Sequence, residues 1–273
     1  MSSNKKTNLL SELYSNRALI WKLARNDFKK RYAGSYLGAV WAMIQPVITI
    51  AMYYIVFDVI MGAGAQSGPR ATSIPYVLFL TAGLVPWFFF SEALTHGTSA
   101  MVEYNYLVKK VVFNVSILPV IKVVAAIFIH AFFVCVMIVM ACVYGYYPSL
   151  YTIQIIYYSI CTFVLVLGMS YLTSAVMVFF RDIAQIIGIV LQLGMWATPI
   201  LWNIESIGPT ARFIVSINPL VYIVTGYRNA VCSGAWFWED IPMTIYFWVF
   251  TILMWLVGTT LFRRLKPHFA DVL

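Results

Sequence analysis

The chain has 273 residues, of which 62% are hydrophobic and 10% are charged, and its formal net charge is +8. Its mean hydropathy of +0.84 lies well outside the range of soluble globular domains, which excludes an ordinary soluble enzyme. A positive charge can indicate nucleic-acid binding, but the cations are sorted along this chain in a way that indicates membrane topology and no nucleic-acid partner.

Residues 1–36 are polar and basic, and they predict a cytoplasmic N-terminal region without a cleavable signal peptide. Within it, residues 17–32 have helical character, with an apolar arc opposite a basic one. The apolar arc consists of Ile20, Trp21, Ala24 and Phe28, and the basic arc of Lys22, Arg25 and Lys29. This pattern predicts an amphipathic helix along the membrane surface, with cations toward anionic lipid or phosphate. A plain topology signal without a ligand role is the alternative.

Six apolar stretches predict six membrane-spanning helices, because about 20 apolar residues cross a bilayer and a helix satisfies its own backbone hydrogen bonds. The predicted spans are 37–60, 76–97, 118–143, 151–178, 184–203 and 242–262. The predicted fold class is therefore an all-α polytopic membrane protein. Its transmembrane domain covers 37–262, and a cytoplasmic tail covers 263–273.

The basic residues lie almost entirely on one side of these spans. Of the 18 Lys and Arg residues, only Arg70, Arg212 and Arg228 fall on the other side. The positive-inside rule then places both termini in the cytoplasm, which fits an even number of spans.

The link between spans two and three, about 103–116, lies in the cytoplasm by this topology. It is short, apolar and basic, and it predicts a segment that docks into a groove on a soluble partner. An ordinary connecting loop is the alternative.

The region 204–241 contains apolar runs that Gly208-Pro209 and Asn218-Pro219 interrupt. Neither run reaches about 20 residues, so we expect short re-entrant helices dipping in from the outer face. Counting 220–232 as a seventh crossing would place the basic residues after span six outside, against the charge rule.

Catalytic and nucleotide-binding motifs are missing from the sequence. There is no G-x-x-x-x-G-K-[ST] loop, no G-x-S-x-G elbow and no H-E-x-x-H pair. The four cysteines form no C-x-x-C pair, and with three histidines they predict no metal site. The chain is therefore expected not to be an enzyme and to hold no cofactor or metal.

Few ionisable residues fall within the predicted spans: Asp58, Glu92, His96, Lys122 and His130. Charges in lipid are costly, so each is expected to mark a function or a paired contact. Glu92 and His96, at i and i+4, form the one neighbouring pair. We expect them to hydrogen-bond within or between helices, with a role in gating as the alternative, and we expect His130 to be packed.

Aromatic residues are frequent within the spans, among them Trp41, Tyr53, Tyr54, Phe57, Phe88, Phe89 and Trp196. If they face inward, such rings would line a pathway for sugars, whose apolar faces stack on aromatic rings. Lipid-facing or helix-packing roles are the alternatives.

Several stretches, in order along the chain, carry a family resemblance. They are Arg25-Asn-Asp-Phe-Lys-Lys-Arg-Tyr-Ala-Gly-Ser-Tyr-Leu-Gly38 with Trp41 and Pro46, Gly83-Leu-Val-Pro-Trp-Phe-Phe89, Leu107-Val-Lys-Lys-Val-Val-Phe113 with Leu118-Pro119, Phe180-Arg-Asp182, Thr198-Pro-Ile200, Asn218-Pro219, Tyr227-Arg228, Phe262-Arg-Arg-Leu265 and Phe269-Ala-Asp-Val-Leu273. With these, the chain resembles the transmembrane subunit of ATP-binding-cassette exporters for bacterial cell-surface polysaccharides. Asn114 departs from the pattern, which often has proline there.

The resemblance implies a homodimer of six-helix permease subunits in the bacterial cytoplasmic (inner) membrane, bound to two copies of a separate ABC ATPase that holds ATP and Mg. The substrate would be a polysaccharide on a polyprenyl diphosphate lipid, with O-antigen as the favoured cargo. A teichoic acid or capsule exporter is the first alternative, and an ion-coupled carrier is a remoter one. A membrane enzyme acting on polyprenyl-linked sugars is a further alternative, which the cytoplasmic acidic residues disfavour because they are scattered beside cations.

Candidate site residues follow from the basic cluster, the aromatic rings and the resemblance together. For substrate binding we expect Arg25, Lys29, Lys30, Arg31, Trp41, Tyr53, Phe57, Trp87 and Phe88. For contact with the ATPase we expect Tyr104, Tyr106, Leu107, Lys109 and Lys110. For an outer gate at about 205–235 we expect Asn218, Pro219, Tyr227 and Arg228. The cations would bind the diphosphate, since Arg offers forked hydrogen bonds to phosphate.

Overall fold

The computed structural model describes residues 9–31, 38, 40–66, 73–109 and 113–273. Across these ranges the chain folds almost entirely into helices, with no β-strand longer than the isolated bridge between Gln66 and Ile74. The α-helices are α1 (Leu9–Ser15), α2 (Arg17–Arg31), α3 (Val40–Tyr54), α4 (Tyr76–Glu103), α5 (Asn105–Val108), α6 (Leu118–Val143), α7 (Gln154–Phe179), α8 (Ile183–Ala197), α9 (Pro209–Ser216), α10 (Leu220–Arg228), α11 (Ile241–Leu265) and α12 (Phe269–Val272).

Five helical segments in the described ranges are long and apolar enough to cross a membrane. They are Val40–Ile60, Tyr76–Glu103, Val115–Val143, Leu150–Phe179 and Ile241–Val272. Five of the predicted spans thus appear as long apolar helices, and the chain is a multi-pass membrane protein. The other predicted span, 184–203, corresponds to α8, which has 15 residues. At 1.5 Å per residue α8 is about 22 Å long, less than the ~30 Å hydrocarbon layer, so the six-span count stays a prediction.

The α4 helix lies at the centre of the bundle, between α6 and α7. In an apolar 18-residue window of this helix, 83% of the residues are buried, against 6% in the corresponding window of the segment Val40–Ile60, which begins with α3. Small residues permit this burial: a Cβ built on Gly97 would lie 2.2 Å from Oγ of Ser170 on α7. The first predicted span, α3, is by contrast a peripheral helix.

The α7 and α11 helices pack with their backbones in close contact. A Cβ on Gly258 would lie 2.3 Å from the carbonyl oxygen of Gly168, and a Cβ on Gly168 would lie 3.1 Å from the backbone of Trp255. Small residues let helix backbones approach in this way in membrane proteins, where packing rather than hydrophobic burial drives association.

The predicted amphipathic helix is α2, and protein covers only part of its apolar arc, since Trp21 is 56% exposed. Trp21 and Phe28 both contact the ring of Phe128 on α6, with centroids 5.2 and 5.6 Å away. Ile20 and Ala24 are buried. The sequence could not reveal this, because an apolar arc fits a protein surface as well as a lipid surface.

The end of the chain, predicted as a tail at 263–273, folds back onto the bundle. Phe269 is buried and contacts Phe262 edge-on at 5.3 Å, and Phe262 in turn contacts Tyr171 at 5.1 Å. Lys266 donates a hydrogen bond of 2.9 Å from Nζ to Oγ of Ser116, which precedes α6.

Two short helices, α9 and α10, occupy the loop before α11 and agree with the short helices predicted there. The Asn218 side chain accepts a 3.1 Å hydrogen bond from the backbone of Leu220 and so helps α10 to begin. Whether the pair enters the membrane from the outer face stays a prediction.

Candidate functional site

A polar cleft of about 360 Å³ lies between α3 and α4 and reaches α6. Its lining residues are Ala42, Gln45, Pro46, Thr49, Phe88, Ser91, Glu92, Thr95, His96 and Ile129. Polar side chains beside membrane-spanning helices are costly in lipid and usually serve a function, which makes this cleft a candidate site.

Helical spacing places several of the lining residues of α4 on one wall of the cleft. On α4, Phe88, Glu92 and Thr95 follow each other at intervals of four and three residues, so their side chains share one face. The opposite wall belongs to α3, where Pro46 stands inside the helix. Proline removes one backbone hydrogen bond of the helix, which leaves a carbonyl near the cleft without that donor.

The cleft connects to α2 through an ion pair. Nη1 of Arg31, at the end of α2, donates to Oε1 of Glu92 at 3.0 Å. The expectation that Glu92 makes a contact between helices is therefore confirmed, but its partner is Arg31 rather than the predicted His96. Tertiary packing decides this partner, since 61 residues separate Arg31 and Glu92.

A buried ionic network adjoins the cleft and joins α2, α4 and α6. Nζ of Lys122 donates to Oδ1 of Asp27 at 2.6 Å and also to Glu103. Arg31 binds the other oxygen of Asp27 at 2.8 Å, and Tyr104 donates its hydroxyl to Oδ1 of Asp27 at 2.7 Å. Lys122 is only 2% exposed, so this cation depends on its two carboxylates.

The network controls the protonation of Asp27. Burial acts to raise the pKa of the Asp27 carboxyl, but the hydrogen bond from Lys122 and the charge of Arg31 outweigh burial, so that the pKa lies below its ordinary value of 3.8. Burial and the hydrogen bond to Asp27 raise the pKa of the Tyr104 hydroxyl. Asp27 therefore stays ionised, and Tyr104 stays a donor, at neutral pH.

The network uses two residues for which the sequence predicted contacts outside the subunit. Arg31 was expected to bind substrate, but its guanidinium holds Asp27 and Glu92. Tyr104 was expected at the ATPase surface, but it is buried against Asp27. Arg25, Lys29 and Lys30 are exposed, as a role at headgroup depth requires.

The predicted aromatic residues divide into several environments. Phe88 lines the cleft, whereas Trp87 is buried and lies against Gly194 of α8. Tyr53 and Phe57 form a ring series with Tyr76, with successive centroids 6.3 Å apart. Trp41 is exposed on α3. These rings do not form a single track within the subunit.

The segment after α4 presents a small exposed surface. Tyr106 and Lys109 are exposed, and Leu107 is half-buried. Lys110 lies outside the described residues.

The predicted gate residues Arg228 and Tyr227 are buried and form hydrogen bonds within the subunit. Arg228 donates to the carbonyl oxygens of Phe79 at 3.2 Å and Ile200 at 2.8 Å, and its guanidinium lies 3.4 Å from the centroid of the Phe79 ring. Gly83 leaves room for it, since a Cβ there would lie 3.0 Å from Nη2 of Arg228. Both ends of the guanidinium are therefore engaged inside the subunit.

Asn218 and Tyr227 are also held by hydrogen bonds within the subunit. Asn218 donates to Oγ1 of Thr198 at 2.8 Å, next to Pro219, which directly precedes α10. The Tyr227 hydroxyl lies 2.7 Å from Oγ of Ser159 and 3.0 Å from Nε2 of His130. His130 is thus packed, as predicted. The Thr198-Pro-Ile200 motif thus bonds both Asn218 and Arg228, which lie 20 and 28 residues further along the chain than their partners.

Sequence reasoning missed two contributors to the site. Asp27 lies on the apolar arc of α2, one turn beyond Ala24, and a single acid on an apolar arc signals a buried partner. Asn114, where the sequence departs from the family pattern, donates to Oε2 of Glu12 at 3.1 Å and accepts from the backbone of Ser116 at 3.2 Å. It thereby ties α1 to the start of α6.

Comparison with known proteins is consistent across the chain. The model of the family described as ABC-2 type transporter matches residues 18–232. The O-antigen export system permease protein RfbA of Myxococcus xanthus is 28% identical over 265 residues, which cover 96% of this chain and 98% of that protein. RfbA of Klebsiella pneumoniae is 29% identical over 261 residues, 93% and 95% of the two chains. The polysialic acid transport protein KpsM of Escherichia coli is 21% identical over 241 residues, 87% and 89%.

Proposed function

Because the chain belongs to the ABC-2 type transporter family, we propose that it is the permease subunit of an ATP-driven exporter of cell-surface polysaccharide. The cargo is a polysaccharide on a polyprenyl diphosphate lipid, with O-antigen as the favoured polymer. The observation that carries this proposal is the similarity to O-antigen export permeases over 93–96% of the chain. The chain is a transport subunit, and a separate ABC ATPase supplies the energy.

The working complex in this proposal is a homodimer of six-helix subunits with two ATPase subunits, in the cytoplasmic membrane. The short helix α8 serves as the sixth crossing, and both termini lie in the cytoplasm. The one-sided placement of Lys and Arg supports this topology. The largely uncovered α3 supports contact of that helix with lipid or with the second subunit.

The cleft between α3 and α4 receives the polar head of the lipid-linked substrate. The exposed cations Arg25, Lys29 and Lys30 on α2 attract the diphosphate, and Arg31 holds Glu92 in the cleft wall. The uncovered side of α3 leaves the lipid tail in the bilayer while the head enters.

ATP hydrolysis acts on the cleft through α2 and the segment after α4. Tyr106 and Lys109 present the exposed surface of that segment, and Tyr104 fixes it to Asp27 of α2. A push by the ATPase on this surface therefore moves α2 and Arg31 together, since the ionic network joins them.

Export in cells tests the proposal. A strain that lacks its own exporter but makes lipid-linked O-antigen receives this chain together with its cognate ABC ATPase, and surface polymer is measured by antibody labelling of intact cells. We expect surface polymer only when both proteins are present. Export by the chain without the ATPase, or no export with both, contradicts the proposal.

The cleft is tested with a matched pair of variants. Gln45→Leu removes a polar group from the lining of the cleft, and we expect it to lower export severalfold. Ile48→Leu changes a residue that is 55% exposed on the same helix, and export should be unchanged. Equal export by the two variants removes the cleft from the substrate route.

Export of a capsule polymer is the second candidate. The similarity to the polysialic acid transport protein KpsM favours it, although over less of the chain and at lower identity than O-antigen permeases. An ion-coupled carrier is a more remote candidate, and export that persists without ATPase but stops when the proton gradient is dissipated would favour it.

A further inference from the structure

A second pocket lies at the other end of the bundle from the ionic network, where α7 and α11 begin. Its volume is about 190 Å³. Its lining includes Tyr158, Arg212, Tyr222, Thr225, Asn229 and Asp240. Pockets for drug-sized ligands measure about 300–1,000 Å³, so this one has room for a single ring of small-molecule size.

One side of the pocket is a rigid aromatic wall. Tyr158 and Tyr222 contact each other at 5.4 Å between centroids, and the Tyr222 ring stacks on Phe247 at 4.9 Å. Gly226 makes this wall possible, because a Cβ on it would lie 2.1 Å from the Tyr158 ring. Phe237 is fixed by stacking on Tyr157 at 4.3 Å.

The lining of the pocket also includes a hydrogen-bond acceptor without a donor. Oδ1 of Asn229 is buried from solvent and accepts no hydrogen bond from any described residue. An unpaired buried acceptor costs about 1–3 kcal/mol, so a ligand that donates a hydrogen bond here would recover that cost.

The rim of the pocket carries opposite charges on two elements. Arg212 on α9 and Asp240 before α11 are both exposed lining residues. Asp240 also accepts a 3.2 Å hydrogen bond from the backbone of Met243, which fixes its position. A rim with one cation and one anion suits a neutral ligand with several hydroxyl groups, since hydroxyls both donate and accept.

We propose that this pocket binds one neutral pyranose unit of the exported glycan, as a subsite at the exit end of the subunit. A pyranose combines an apolar face for the aromatic wall with hydroxyls for Asn229 and the charged rim. This inference rests on the proposed function, because the glycan is the expected cargo. It assigns α9 and α10 a direct contact with sugar in addition to their place in the predicted gate.

The test uses the full-length chain in lipid nanodiscs. The probes are methyl α-D-mannopyranoside, methyl α-D-galactopyranoside and N-acetyl-D-glucosamine, and binding is read by saturation-transfer-difference NMR. We expect saturation transfer to the ring protons of at least one sugar. Asn229→Ala should raise the dissociation constant roughly three- to tenfold, which corresponds to the loss of one hydrogen bond.

Two further variants separate binding from folding. Thr225→Phe should fill the pocket and abolish the signal, and Phe213→Ala, at a residue 73% exposed on α9 and outside the lining, should bind as the wild type does. Melting temperatures of the variants report whether each is folded. Absence of binding by the wild-type chain, or unchanged binding in folded Asn229→Ala and Thr225→Phe chains, overturns the subsite.

The export assay in cells tests the proposed function separately from the sugar-binding subsite. Surface polymer made by the wild-type chain with its ATPase, combined with no sugar binding to the nanodiscs, overturns the subsite alone. Sugar binding that the Thr225→Phe variant abolishes supports the subsite, whatever the outcome of the export assay.

Discussion

At the scale of residues, the ionic network explains how a chain with few charges tolerates a lysine in an apolar span. Asp27 on α2 forms ion pairs with Lys122 on α6 and with Arg31 on its own helix. A buried pair is costly to form but more costly to break, because the partner that remains is charged and desolvated. The network therefore serves better as a specific attachment of α2 than as a source of extra stability.

Removing the central cation should be costly. We expect Lys122→Met to lower the free energy of unfolding by about 3 kcal/mol, since the buried Asp27 then keeps only Arg31 as a cation. The melting temperature of the purified protein measures this. The control is Lys22→Met, at an exposed lysine on α2, where a change within about 0.5 kcal/mol is expected. Equal losses in the two variants would contradict the network.

The lowered pKa of Asp27 predicts a pH dependence of known sign. A carboxyl with a depressed folded-state pKa contributes stability that is present above its unfolded value and is lost as the pH falls through the folded value. The melting temperature difference between wild type and Asp27→Asn should thus be constant from pH 8 to 5 and shrink only below 3.8. A difference that already shrinks between pH 7 and 5 would mean that burial dominates and raises the pKa.

At the scale of elements, the packing of the bundle depends on places where helix backbones meet at glycine residues. The α7 and α11 helices touch backbone to backbone at Gly168 and Gly258. Backbone atoms move less readily than side chains, so substitution of these glycines should be destabilising, whereas α8 has room at Gly188.

A pair of identical changes tests this contrast. Gly258→Ala should separate α7 and α11 and cost about 1–3 kcal/mol in unfolding free energy. Gly188→Ala meets no atom within 4 Å and should be neutral or slightly stabilising, because alanine favours the helix. Melting temperatures of the two variants compare them directly, and an equal response would argue against close packing at Gly258.

The exposed surface after α4 is the element through which the proposed ATPase acts. We expect Lys109→Glu with Tyr106→Ala to reduce the amount of ABC ATPase that co-purifies with the chain at least severalfold, because both side chains are exposed there. Lys266→Gln is the control, since this lysine bonds Ser116 within the subunit. A complex yield that is unchanged in the double variant would place the docking surface elsewhere.

At the scale of the whole molecule, the placement of the basic residues predicts which compartment each end of the chain faces. The sorting of Lys and Arg predicts that residues 1 and 273 share the cytoplasm, which requires α8 to count as a crossing. Reporter domains fused at both ends should therefore be active on the cytoplasmic side. Termini in opposite compartments would mean five crossings and would make α8 an interfacial helix.

The sequence by itself determined the class of the protein and most of its helices. Five predicted spans and the helix at 17–32 have matching helices in the structure, because hydrophobic length and helical periodicity are local properties of the chain. Charge placement along the chain likewise needs no tertiary contact to be read. The resemblance to polysaccharide exporter permeases agrees with the match to the ABC-2 type transporter family.

Only the tertiary structure decided which side chains meet. Asp27 and Lys122 are 95 residues apart, and Arg228 reaches the carbonyl of Phe79 across 149 residues. Arg31 and Tyr104 likewise make contacts within the subunit that their local sequence does not indicate. The reason is physical: a charged or polar side chain can face solvent, lipid headgroup or a buried partner with the same local pattern. The packing of distant helices selects the partner that satisfies its hydrogen bonds.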